Sequence, residues 1–170
     1  MDQPAVADSF EADLPGYVQT LRVINGAMAA GIFFFAGVVL FEYFSKAPPT
    51  AAPSGEALIR TLSLANAVVF VGAWAASVFI YKSSLKKGEG PFLRRVLTAE
   101  ITRLAMREGP AFLGLVVCLL ATVNGVLSAV PLYWANGLSA FAFWVFALRN
   151  LMTIEDRVRE LYSLDCRLLS

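Results

Sequence analysis

Four apolar stretches, at 26–44, 63–81, 106–123 and 126–148, occupy most of a chain of only 170 residues. An α-helix rises about 1.5 Å per residue and the hydrocarbon core of a bilayer is about 30 Å thick, so roughly 20 mainly apolar residues make one crossing. Each stretch is close to that length. The expected fold class is therefore all-α: an integral membrane four-helix bundle, with residues 1–170 forming a single transmembrane domain. Hydrophobic residues make up 58% of the chain, more than a soluble domain of ordinary composition carries.

Charge gives the expected orientation. Lysine and arginine collect in cytoplasmic connections, and acidic residues weigh little in that bias. The connection at 82–105 holds Lys82, Lys86, Lys87, Arg94, Arg95 and Arg103, and Arg107 follows it directly. The tail at 149–170 adds Arg149, Arg157, Arg159 and Arg167, whereas the first connection offers only Lys46 and Arg60. An even number of spans then places both termini and the basic connection in the cytoplasm of a multi-pass protein of the cell (inner) membrane. The first twenty residues carry Asp2, Asp8, Glu11 and Asp13 and no base, so no removable signal peptide is expected. Ala47–Gly55 is rich in proline and reads as a short extended linker outside. Tyr43, Tyr133 and Trp134 mark the outer interface and Tyr81 the inner one.

The basic connection contains a helix start. Pro91 suits a first helical position, and Phe92, Leu93, Val96 and Leu97 then alternate with arginines. That pattern predicts an amphipathic lead-in to the third span, with Lys86, Lys87, Arg94 and Arg95 placed to meet anionic lipid head groups or a partner. In the tail, Ile154, Val158 and Leu161 recur at helical spacing, and Glu155 and Arg159 form an i,i+4 pair on another face. This predicts an extension of the fourth helix, packed on its own bundle or on a partner's helix.

The first and third spans match at an offset of 78: Ala27, Met28, Gly31, Phe34, Val38 and Val39 lie over Ala105, Met106, Gly109, Phe112, Val116 and Val117. The expected architecture is accordingly two duplicated helical hairpins. Under that offset Asn124-Gly125, a strong turn signal, falls where the first hairpin turns. The third helix is thus expected to run through a kink at Gly109 and Pro110 and to end at that turn rather than near Pro131. Small residues let helix backbones approach closely in lipid. Gly26, Ala27, Ala30 and Gly31 of span one, and Gly72 and Ala76 of span two, are the candidate packing positions. Asn25, Asn66 and Asn136 are expected to bind helices to one another.

Glu108 differs most between the two copies, its counterpart being Ala30. A carboxylate about one turn inside the membrane boundary is a functional candidate, here for reversible proton binding. The alternative is an interfacial carboxylate paired with Arg107, Arg103 or an arginine of the tail. The run from Glu108 to Val117 resembles the helix that bears the ion-binding carboxylate in rotor-ring (proteolipid) subunits of rotary ATPases. That resemblance implies that Glu108 takes up and releases a proton, although the family carries its carboxylate on the second helix of a hairpin. With Ala105, Glu108, Gly109, Pro110 and Phe112 and its four spans, the chain also resembles a group of small bacterial membrane proteins, a likeness that implies no activity.

Histidine is absent, which removes the commonest metal ligand and general base together. No nucleophile elbow, phosphate-binding glycine loop or metal-ligand cluster is present in the pattern, so neither enzymatic activity nor a metal or other cofactor is expected. Cys118 lies in a span and Cys166 in the tail, depths too different for a disulfide. The balance of Lys+Arg 14 against Asp+Glu 13 gives nucleic acid no handle. The expected partners are the lipid bilayer and either other membrane subunits or copies of the same chain. The expected function is that of a non-catalytic accessory or scaffold subunit or a homo-oligomer, with proton-coupled transport or rotor-like proton translocation at Glu108 as the alternative.

Overall fold

The computed structural model describes residues 3–45, 55–87 and 91–169, with side chains over 10–45, 55–85 and 91–165. The proline-rich linker at 46–54 and the side chains of Lys86, Lys87 and Cys166 lie outside them. Helices α1 (Gln3–Ser45), α2 (Glu56–Lys87), α3 (Phe92–Val123) and α5 (Leu138–Leu169) form an all-α four-helix bundle. A one-turn helix α4 (Val126–Ala129) and a 3-10 helix (Pro131–Gly137) connect α3 to α5. Four helical segments, Phe10–Ser45, Glu56–Leu85, Phe92–Val123 and Pro131–Asp165, are long and apolar enough to cross a membrane, so the chain is a multi-pass membrane protein.

The helices alternate in direction. At one end Phe10, Leu14, Val18 and Leu21 of α1 meet Leu93 and Val96 of α3 and Ile154 and Val158 of α5, with Leu85 of α2 against them. At the other end Ile59 of α2 packs with Val117 and Ala121 of α3, Val126, Leu127 and Tyr43. The start of α1 and the end of α5 therefore lie beside the end of α2 and the start of α3. The 43 residues of α1 span about 65 Å, twice the hydrocarbon thickness. At the basic end the bundle is closed by aromatic and ionic contacts as well as by the apolar cluster. Phe10 stacks on Tyr162 with ring centroids 3.7 Å apart, and Phe92 meets both rings edge-on. Arg159 reaches Glu11 at 2.6 Å, and Arg22 reaches Glu155 at 3.6 Å. The amphipathic tail thus packs on its own bundle through Ile154 and Val158, and the Glu155–Arg159 pair forms at 3.5 Å.

α3 is the central element, touching α1, α2 and α5. Its small buried residues Ala111, Gly114, Cys118 and Ala121 admit three neighbours at once. α1 packs on α3 and α5, and α2 packs mainly on α3. The two helices that match at the sequence level are therefore side by side, while the first hairpin, α1 with α2, encloses no extended interface of its own. Phe112 of α3 lies across α1: a Cβ on Gly31 would meet its ring at 3.8 Å, and its ring centroid is 5.8 Å from that of Phe35.

α3 runs without a break through Gly109 and the buried Pro110 and ends at Asn124. Gly125 adopts φ +70°, a left-handed conformation that glycine takes without steric penalty, and Asn124 Nδ2 donates to the Leu120 carbonyl at 2.7 Å. The stretch expected as a single span over 126–148 differs. It breaks at Val130, continues as the 3-10 helix and becomes α-helical only at Leu138. Proline has no N–H and disfavours the helical conformation in the residue before it, so Pro131 cannot extend the helix begun at Val126.

Candidate functional site

The bundle buries a charge cluster where α2, α3 and α5 meet, near the basic end. Glu100, Arg103 and Arg107 follow one another at helical spacing on the inward face of α3, in phase with the buried Val96, Leu104 and Ala111. Glu100 is 2% exposed and faces two guanidinium groups: Arg103 at 3.3 Å and Arg157 of α5 at 3.4 Å. Both arginines also donate to the Asn150 side-chain oxygen, Arg103 at 3.0 Å. Arg107 turns toward α2 instead, and its Nε donates to Ser77 Oγ at 2.9 Å.

Three guanidinium groups against one carboxylate leave positive charge in excess, and aromatic faces take it up. Arg107 Cζ lies 4.2 Å from the Trp74 ring centroid and 4.0 Å from that of Phe146. Arg103 Cζ lies 4.6 Å from Tyr81 and 4.8 Å from Phe146. A cation over an aromatic face is stabilised by about 0.5–2 kcal/mol, more as water is removed. Arginine keeps its charge at any physiological pH, and no nucleophile–base pair stands in the cluster. The arrangement is built to clasp α2 and α5 to α3. Beyond it, Arg95 donates to the Leu85 carbonyl at 3.0 Å and pairs with Asp165 at 2.9 Å, joining the ends of the same helices.

At the opposite end a second, uncharged cluster joins α2 to the 3-10 helix. Asn66 Nδ2 donates to Asn136 Oδ1 at 3.3 Å, and Asn136 Nδ2 donates to Ser63 Oγ at 2.9 Å and to the Tyr133 carbonyl. Ser139 Oγ donates to the Asn136 carbonyl at 2.8 Å. Gly114 of α3 lies directly beneath: a Cβ there would stand 2.2 Å from both the Asn136 carbonyl oxygen and Ser139 Oγ. Only a bare backbone fits under this turn.

The candidates legible in sequence are dispersed. Glu108 is half-buried on α3 and, among the described residues, makes no hydrogen bond or salt bridge; the arginines expected to pair with it are turned to Glu100 and Ser77. Gly109 has open space where a side chain would stand, while Pro110 is buried. Of the packing positions, Gly31 contacts Phe112, whereas Gly26 and Gly72 face open space; Ala27 and Ala30 are exposed and Ala76 half-buried. Arg94 is exposed, but Arg95 is held by Asp165. Asn66 and Asn136 do bind helices together, whereas both amide atoms of the fully buried Asn25 lack a hydrogen-bond partner among the described residues. Glu100 was not singled out in sequence. The signal was present: one acidic and two basic residues at i, i+3 and i+7, in phase with the apolar stripe of α3 rather than opposite it.

Comparison of the chain with protein-family models, curated proteins and solved structures gave no match.

Proposed function

We propose that this chain is a non-catalytic subunit of the cell (inner) membrane that works by offering the outer face of α2 to a transmembrane helix of a larger partner or of a second copy. The observation that carries this reading is the state of α2 itself. The most apolar window of α2 is 11% buried, against 50% for α3. Its open face runs through Thr61, Ala65, Val68, Gly72 and Ala75, all exposed and spaced at three and four residues. A Cβ on Gly72 would meet nothing within 4 Å. Small and β-branched residues form a shallow groove into which a second helix packs closely, the usual basis of association in lipid. The exposed face of α1 is of another kind, with Phe33, Phe34, Phe41 and Phe44 pointing outward as bulky lipid-facing residues do.

The proposal is tested by native mass spectrometry of protein extracted gently from its own membranes. The wild type is expected at fixed stoichiometry with a partner or with itself. Gly72→Leu is expected to release it as a monomer without lowering its unfolding temperature, because the position is open in the bundle. A monomeric wild type, or an assembly that Gly72→Leu leaves intact, would contradict it.

A second reading, proton-coupled transport through Glu108, is supported by that carboxylate having no ionic partner among the described residues. Under it Glu108→Gln abolishes proton flux in reconstituted vesicles and leaves the fold intact. Under the subunit reading the substitution leaves both assembly and proton permeability of the vesicles unchanged.

A further inference from the structure

α2 and α5 pack on α3 rather than on each other. Beside the charge cluster they meet through the rings of Trp74 and Phe146, whose centroids are 6.0 Å apart. α3 is the floor of the seam between them, and its arginines stand there. Arg103 and Arg107 share the Phe146 ring, while Arg103 and Arg157 share Glu100 and Asn150, so the three guanidinium groups form one patch. Against the carboxylate of Glu100 they leave an excess of two positive charges. Aromatic faces stabilise a cation but supply no negative charge to balance it.

The donors of the patch are not used up either, since each guanidinium carries five N–H groups. Among the described residues Arg107 hydrogen-bonds only through Nε, to Ser77, and Arg103 and Arg157 only through Nη2. The Nε nitrogens of Arg103 and Arg157 are sealed from the surface without a partner. The unpartnered Nη nitrogens of the three residues are not sealed, and an acceptor entering the seam can reach them.

Depth narrows the ligand. Tyr81 closes the apolar stretch of α2, Met106 opens that of α3 and Leu148 closes that of α5, with Lys82, Arg103 and Arg149 just beyond. The patch therefore sits at the edge of the apolar layer, the level of the lipid phosphates. A charge beside hydrocarbon is costly unless it is paired, and a basic pocket between helices at this level suits an anionic head group. Guanidinium forks match phosphate oxygens two at a time. Trp74 and Phe146 belong to the apolar stretches, so hydrocarbon chains attached to the phosphate meet them directly, a contact that a soluble anion cannot make.

We propose that the seam between α2 and α5 binds the phosphate of an anionic phospholipid, held by the open Nη donors of Arg103, Arg107 and Arg157. The site uses the side of α2 that carries Trp74, Ser77 and Tyr81, not the one with Val68 and Gly72. A lipid and a docked helix can therefore be present together.

The experiment is native mass spectrometry and thermal unfolding of the purified full chain in a neutral detergent. It is titrated with dioleoylphosphatidylglycerol, with dioleoylphosphatidylcholine, which has the same chains and phosphate but no net charge, and with inorganic phosphate. One phosphatidylglycerol is expected per chain, bound about tenfold more tightly than phosphatidylcholine, as expected for charge-assisted hydrogen bonds. It alone is expected to raise the unfolding temperature. Arg107→Met keeps the contacts with both rings, and Ser77 Oγ still donates to the Trp74 carbonyl at 2.8 Å. That variant is expected to unfold no lower than the wild type in detergent alone and to bind phosphatidylglycerol only as weakly as phosphatidylcholine. Arg94→Gln, at an exposed position of the same end, is expected to bind as the wild type does. Equal binding of the two lipids by the wild type, a comparison that needs no variant, would overturn the proposal. So would binding unchanged in Arg107→Met, an equal loss in Arg94→Gln, or displacement of the lipid by millimolar inorganic phosphate.

Discussion

Replacing Glu100 with glutamine is expected to lower the stability of the bundle by about 3–5 kcal/mol, a loss far beyond that of a surface ion pair. The substitution preserves size and removes only charge. Arg103 and Arg157 stand 3.3 Å and 3.4 Å from that carboxylate with 11% and 27% of their side chains exposed, so neither can move wholly into water when the charge is gone. The aromatic faces of Tyr81 and Phe146 hold Arg103 but offer no negative charge to replace the lost one. Thermal unfolding in detergent measures the effect. The physical claim is about uncompensated charge, not about a missing contact, and a second variant separates the two. In Glu100→Leu combined with Arg103→Leu and Arg157→Met, the paired ions are removed together, and Arg107 keeps its contacts with Ser77, Trp74 and Phe146. Apolar residues of similar volume in place of a buried ion cluster are often neutral or stabilising, so the triple variant should recover most of the lost stability. If the triple variant is as unstable as Glu100→Gln, the clasp acts through its specific hydrogen bonds to Asn150 rather than through charge balance.

The second large effect belongs to the opposite end. Gly114→Ala adds one methyl group 2.2 Å from a backbone carbonyl and from Ser139 Oγ. A flexible side-chain tip could swing aside, but the Asn136 carbonyl is fixed in the 3-10 helix and holds Ser139 as well. The helix must therefore lift off α3. Overpacking of this kind typically destabilises by about 1–3 kcal/mol, and here it also strains the Asn66–Asn136 bridge. The displacement has a direct reporter. Cys118 is buried on α3 and its Sγ donates to the Tyr133 carbonyl at 3.7 Å. In a Cys166→Ser background, Gly114→Ala is expected to make Cys118 reactive to a membrane-permeant maleimide, whereas Gly26→Ala, at an open position, leaves it protected.

These two sites show what a membrane sequence reveals and what it hides. The four apolar stretches are legible because lipid demands length and hydrophobicity from each crossing, independent of neighbours. The Asn124-Gly125 turn is legible for a similar local reason, since a left-handed residue is needed there and glycine supplies it. The break at Pro131 is just as local, yet an apolar run on both sides of it reads as one span. Glu100 and Gly114 are different. A carboxylate flanked by arginines looks like a solvated face until the partners on α5, more than forty residues away in the chain, are known. A single glycine in an apolar helix looks like packing in general until the turn above it is known. The small residues of α2 show the same limit from the other side: they look like bundle packing, and the bundle turns them outward.

The most direct test of the α2 proposal is photo-crosslinking in the native membrane, with a benzophenone amino acid placed at Val68 or at Phe34. The two positions are matched in exposure, 74% and 73%, but lie on the open faces of α2 and α1. The account predicts one discrete protein adduct from Val68 and lipid adducts alone from Phe34. Lipid adducts alone from both positions would contradict it, because α2 would then face only the bilayer.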